Sequence, residues 1–143
     1  MLKILSMPLT GYSGTPLAKK LGIKEGAILR LFQEPAYYFD LFTDMPAGVK
    51  VVRETSGYKD IVHFFTIDIA ELDNAITNLR KEIFPGGMIW VSWPKKASKV
   101  ETNVTEDLVR NIALQNGLVD VKVCAIDETW SGLKLVVPVK DRK

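Results

Sequence analysis

The run Asp60-Ile61-Val62-His63-Phe64-Phe65-Thr66-Ile67 constrains the fold of this chain more than any other feature. Its apolar residues fall at both odd and even positions, so an extended segment would be hydrophobic on both faces. Such a strand has to be covered on both sides, as at the centre of a parallel sheet flanked by helices. His63, the single histidine, sits mid-strand on the face shared with Ile61 and Phe65. It is predicted to be a buried structural group rather than a catalytic base.

Helical and strand signals alternate around this run. Thr15-Pro16 opens a short helix that Gly22 ends, Thr supplying a cap and Pro fitting the first turn. Ala27–Phe32 reads as a strand, and Pro35 starts a helical stretch with Tyr38, Leu41, Phe42 and Met45 at helix spacing. Val49–Arg53 is a further strand. Asp68 caps the clearest helix, with Glu71 in the capping-box position and Ile69, Leu72, Ile76, Leu79 and Ile83 on one stripe. Pro85-Gly86-Gly87 reads as a tight turn before the strand Met88–Trp93. Thr105 caps a helix carrying Leu108, Val109 and Ile112, which Gly117 ends, and the strands Leu118–Ile126 and Leu133–Val139 close the chain. Their short connection, Asp127–Gly132, permits only an antiparallel pair. The expected fold class is therefore α/β: a reduced Rossmann-type, three-layer fold. Its sheet is mostly parallel, of about six strands, with one antiparallel strand at the C-terminus. A single domain over residues 1–143 is expected, with residues 1–25 as an N-terminal extension carrying the short helix.

Composition excludes several function classes. The net charge of +2 is small and the basic residues occur in short clusters, Lys19–Lys20, Lys95–Lys96 with Lys99, and the tail, which read as solvated surface. Nucleic acid is therefore not an expected partner. Cys124 is the only cysteine and lies in an apolar run, so it reads as a small core residue, and one Cys with one His gives no metal site. The N-terminal apolar stretch is short and broken by Pro8, and no run approaches the length of a membrane span. A cytoplasmic location is expected, with no membrane partner.

The order of helix, Pro85-Gly86-Gly87, apolar strand, long helix and closing hairpin resembles the C-terminal half of class I S-adenosylmethionine-dependent methyltransferases, over roughly Gly26 to Val139. That resemblance implies a methyltransferase-like scaffold. Three blocks resemble a bacterial family of small proteins known as a domain of unknown function: Tyr12 to Ile23 (YSGTPLAKKLGI), Ser92 to Lys96 (SWPKK) and Asp127 to Gly132 (DETWSG). This second resemblance implies a bacterial source and no activity. The chain departs from the methyltransferases after its first strand. Their glycine-rich turn lets the cofactor lie against the backbone, whereas Gln33-Glu34-Pro35-Ala36-Tyr37-Tyr38 contains no glycine. One strand–helix unit of the full fold is also missing. Glu54, about twenty residues on, stands where an acid would hold ribose hydroxyls. Glu34 and Glu54 are thus the cofactor-binding candidates, should there be a cofactor.

In open α/β sheets, ligands bind outside the carboxyl ends of the strands. Ser92, Trp93, Lys95 and Lys96 follow one strand there, and Asp127, Glu128, Trp130 and Ser131 follow another. Two indoles beside lysines and carboxylates suit a planar or anionic ligand, or an unknown protein partner. The plainer alternative is a structural cluster, with Lys95 pairing to Asp127 or Glu128. Gly11-Tyr12-Ser13-Gly14 leads into a helix N-terminus, where amides attract phosphate, but it lacks the lysine and spacing of a P-loop and reads as a cap. The expected function is a non-catalytic binding or interaction module on a methyltransferase-derived scaffold, with no cofactor. The alternative is an enzyme or sensor that binds S-adenosylmethionine or a nucleotide at the same edge.

Overall fold

A computed structural model describes residues 15–142; the Gly11–Gly14 segment lies outside the described residues. The elements are α1 (Leu17–Leu21), β1 (Ile28–Phe32), β2 (Lys50–Val52), β3 (Lys59–Phe65), α2 (Ile69–Glu82), β4 (Ile83–Pro94), α3 (Glu106–Gln115), β5 (Val119–Ala125) and β6 (Trp130–Val136). They form one six-stranded sheet in the order β2-β1-β3-β4-β6-β5. β2, β1, β3 and β4 run parallel, and β6 lies antiparallel to both β4 and β5. The fold class read from the sequence is the one observed.

β3 is central, and its alternation divides the interior into two cores. Val62 and Phe64 pack with Leu72, Ile76 and Leu79 of α2, Val109 of α3 and Trp93. Ile61 and Phe65 face the other way, toward Leu17 and Leu21 of α1, Leu29, Leu31, Tyr38 and Trp90. The Trp90 indole donates to the Leu21 carbonyl at 2.9 Å, which fastens α1 to the sheet. Gly22 ends that helix at φ +83°, a conformation that favours glycine. The N-cap position falls on Pro16, one residue past Thr15.

Four local expectations are corrected. The stretch after Pro35 is a single 3-10 turn, Tyr38–Leu41, because Phe42 is already extended and the chain must turn again before Pro46. Pro85-Gly86-Gly87 is no turn between helix and strand: α2 passes directly into β4 at Ile83. Lys59 pairs with Ile83 and Ile61 with Met88, so residues 84–87 stand opposite Asp60 alone as a wide bulge. A Cβ on Gly87 would come within 3.0 Å of the Asp60 carbonyl oxygen, which explains the glycine. Lys20 is buried rather than solvated, its ammonium donating to the Ala125 carbonyl at 3.0 Å. Finally, β6 starts at Trp130, so Trp130 and Ser131 belong to a strand and not to a loop.

Candidate functional site

The carboxyl edge is built from the ends of β1, β3, β4 and β2. The crevice between β1 and β3, where the connections diverge to opposite sides, is the usual ligand position in such a sheet. Side chains close it here. Gln33 takes φ +58°, unusual for a residue with a Cβ, and its amide donates to the Phe65 carbonyl at 2.9 Å and to Glu71 Oε1 at 3.1 Å. The Thr66 hydroxyl donates to the same Glu71 oxygen at 2.5 Å. Glu71 therefore ties β1 to β3 instead of completing a capping box. The Asp68 amide that the box would have satisfied is bonded by Thr66 Oγ1 at 3.0 Å.

The first amides of α2 are also taken. Asp68 Oδ1 accepts from Ala70 at 3.0 Å, and Asn103 Oδ1 accepts from Ile69 at 2.7 Å. A helix N-terminus attracts an anion through its unsatisfied amides, and these two have partners. Of the cofactor candidates, Glu34 is held by the Arg53 guanidinium, with Nε at 3.1 Å, and Glu54 lies exposed beyond the end of β2. At the crevice, Gln33, Thr66 and Glu71 are thus bonded to one another.

The eight residues expected to form one site are divided by the sheet. Trp93 pairs with Ser131 and Pro94 with Trp130, so the two indoles fall on opposite faces. Ser92 is fully buried (0% exposed), its hydroxyl 2.7 Å from His63 Nε2. It is therefore no rim residue. On the α1 face, Trp130 donates to the Tyr37 hydroxyl at 3.1 Å, and Asp127 Oδ1 accepts from the Thr129 and Trp130 amides at 2.8 and 2.7 Å. Burial and then Asp127 raise the pKa of Tyr37 above the usual phenol value. On the α3 face, Trp93, Pro94, Lys96, Lys99, Thr102 and Thr105 line a groove of about 700 Å³. Glu128 is exposed, and the Lys95 amide donates to the Thr129 carbonyl at 2.7 Å, bridging the two segments. Neither Asp127 nor Glu128 makes the ion pair with Lys95 that the structural reading required.

Two further residues bear on this face. Lys99 adopts φ +63° and ends the 3-10 turn Lys96–Ser98 at the groove. Arg110 binds Glu106, Asp107 at 2.9 Å and Asp120 at 3.0 Å, and Glu106 and Asp107 line the groove together with Glu101, Lys96 and Lys99. Cys124 packs at the edge of the second core, where burial raises its pKa against the opposing pull of Lys20 and Lys122. Such a thiol is a weak nucleophile at neutral pH. Among the described residues, no group of three His, Cys, Asp or Glu side chains is placed to hold a metal, and no helix is long and apolar enough to cross a membrane.

No family model matches the chain, and no match is found among curated proteins. Solved structures do match. Magnesium protoporphyrin IX methyltransferase from Synechocystis, with S-adenosylmethionine bound, aligns over 85% of this chain and 74% of its own at 12% identity and TM-score 0.53. The Methanococcus jannaschii fibrillarin pre-rRNA processing protein aligns over 87% and 70% at 9% identity and TM-score 0.57. An enzyme of a pericyclic reaction aligns over 86% and 47% at 9% identity and TM-score 0.55. At these identities the likeness concerns the backbone, and it places the chain in the Rossmann-like fold of the methyltransferases.

Proposed function

We propose that this chain is a non-catalytic binding module on a methyltransferase-like scaffold, and that it does not use S-adenosylmethionine. The observation that carries the reading is the Gln33–Glu71–Thr66 network across the β1–β3 crevice. To admit a cofactor there, a glutamine amide and a threonine hydroxyl would have to give up a carboxylate acceptor. Hydrogen bonds to charged groups contribute about 1.5–3 kcal/mol each, so the exchange is costly. The binding surface is the α3-face groove, where Lys96 and Lys99 offer cations beside the edge of Trp93. Because Glu101, Glu106 and Asp107 line the same groove, a planar molecule or a protein segment carrying both signs of charge suits it.

A second reading has the neighbours in fold in its favour: several of them hold S-adenosylmethionine or S-adenosylhomocysteine. Under that reading the crevice network opens and the chain is an enzyme or sensor. Titration calorimetry with S-adenosylmethionine and S-adenosylhomocysteine separates the two. No saturable heat is expected up to millimolar ligand. Saturable binding in the low micromolar range would replace the first reading with the second.

A further inference from the structure

At the opposite, amino edge of the sheet, Thr55, Gly57, Tyr58, Asn78, Lys81 and Glu82 line a cavity of about 460 Å³. That volume is in the range of small-molecule pockets. Behind its wall lies a buried ionic cluster. Glu82 accepts from Arg30 Nη1 at 2.5 and 2.6 Å and stands 3.3 Å from Lys59 Nζ. Lys59 also donates to the carbonyls of Ser56 and Gly57, both at 2.9 Å. The three side chains retain 6%, 8% and 1% of their surface for Arg30, Glu82 and Lys59. Two buried cations thus share one carboxylate, and Arg30 Nε has no partner.

Uncompensated buried charge is expensive, and a folded chain ordinarily neutralises it. At the cavity wall itself stand one cation, Lys81, and one acid, Glu82, with Arg30 and Lys59 behind the carboxylate. The carboxyl end of α2 contributes about half a negative charge, too little to balance the excess. Two aromatic rings, Tyr58 and Phe84, stand exposed beside the opening with centroids 5.3 Å apart. They offer a surface for the body of a bound molecule.

We propose that this cavity is an oxyanion site that takes a phosphate group, free or carried by a small molecule. The proposal is independent of the carboxyl edge and of any reading of it. Inorganic phosphate, AMP and adenosine are titrated against the full chain at constant ionic strength, with chloride as the control salt, and followed by thermal unfolding. Phosphate and AMP should each raise the melting temperature saturably, and adenosine should not. AMP binding more tightly than phosphate identifies a phosphorylated molecule as the occupant; equal binding identifies the free anion. Lys81→Ala, on an exposed position, should leave the ligand-free melting temperature unchanged and weaken phosphate binding at least tenfold. Shifts matched by chloride, or wild-type affinity in Lys81→Ala, would overturn the site.

Discussion

His63 is held neutral by burial, which lowers its pKa from 6.5 to about 3. Its Nδ1 lies 3.0 Å from the Tyr38 hydroxyl, whose pKa burial raises, so the phenol stays neutral beside it. Its Nε2 is hydrogen-bonded to the Ser92 hydroxyl at 2.7 Å. Unfolding returns the imidazole to an ordinary pKa, so between about pH 6.5 and pH 3 the unfolded chain binds the extra proton and falling pH destabilises the fold. His63→Gln should cost about 1–3 kcal/mol at pH 7.5 through lost hydrogen bonds. By pH 5 the gap between the two proteins should narrow by about 2 kcal/mol, since only wild type carries this linkage. Denaturant midpoints at the two pH values give both figures, and a gap that stays constant would remove the titration from the account. Gly132 tests the same region by shape. A Cβ there would stand 3.1 Å from Trp90 and Ile126 and 3.2 Å from Ser92 Oγ, so Gly132→Ala should cost about 1–3 kcal/mol by overpacking. A melting temperature equal to wild type would show that these neighbours yield freely.

At the level of elements, α2 is fixed by its amino end. Asp68 caps the helix and Asn103, from the segment before α3, bonds both the Ile69 amide and Asp68 Oδ1. Asp68→Ala should cost about 1 kcal/mol and Asp68→Asn much less, because asparagine caps nearly as well. Equal losses in urea unfolding would mean that charge rather than hydrogen bonding is what matters. This helix was legible in the sequence because its cap and its apolar stripe are local, as were β1 and β3 from their composition. The 3-10 turn was not, since Tyr38 obeys helix spacing yet is held by a histidine 25 positions away. Strand ends were hidden for a related reason: β4 continues to Pro94 and β6 begins at Trp130 because they pair with each other. The expected site, read as two adjoining loops, was therefore cut in two by the pleat. Gln33 and Glu71 were each noticed for a local role, but their bond spans 38 positions and no window of sequence contains both.

The whole molecule has two cores but one sheet, and that sheet determines how it unfolds. Val62, Phe64, Val91 and Trp93 belong to the α2–α3 face, while Ile61, Phe65 and Trp90 belong to the α1 face. These residues alternate along β3 and β4, so neither face can lose its packing while the strands stay in register for the other. A chain of 143 residues is also within the size at which single domains unfold all-or-none. Trp93 and Trp90 place one buried indole in each core. Trp93→Phe with Trp130→Phe leaves Trp90 to report the α1 face, and Trp90→Phe with Trp130→Phe leaves Trp93 to report the other. Within each variant, fluorescence and far-ultraviolet circular dichroism should give the same denaturant midpoint and slope, despite the stability each substitution costs. Two midpoints within one variant would mean that the α1 layer can leave the sheet on its own. In that case the N-terminal segment would be a detachable cover over the second core, and Trp90 would be the residue it exposes, because its indole nitrogen is bonded to Leu21.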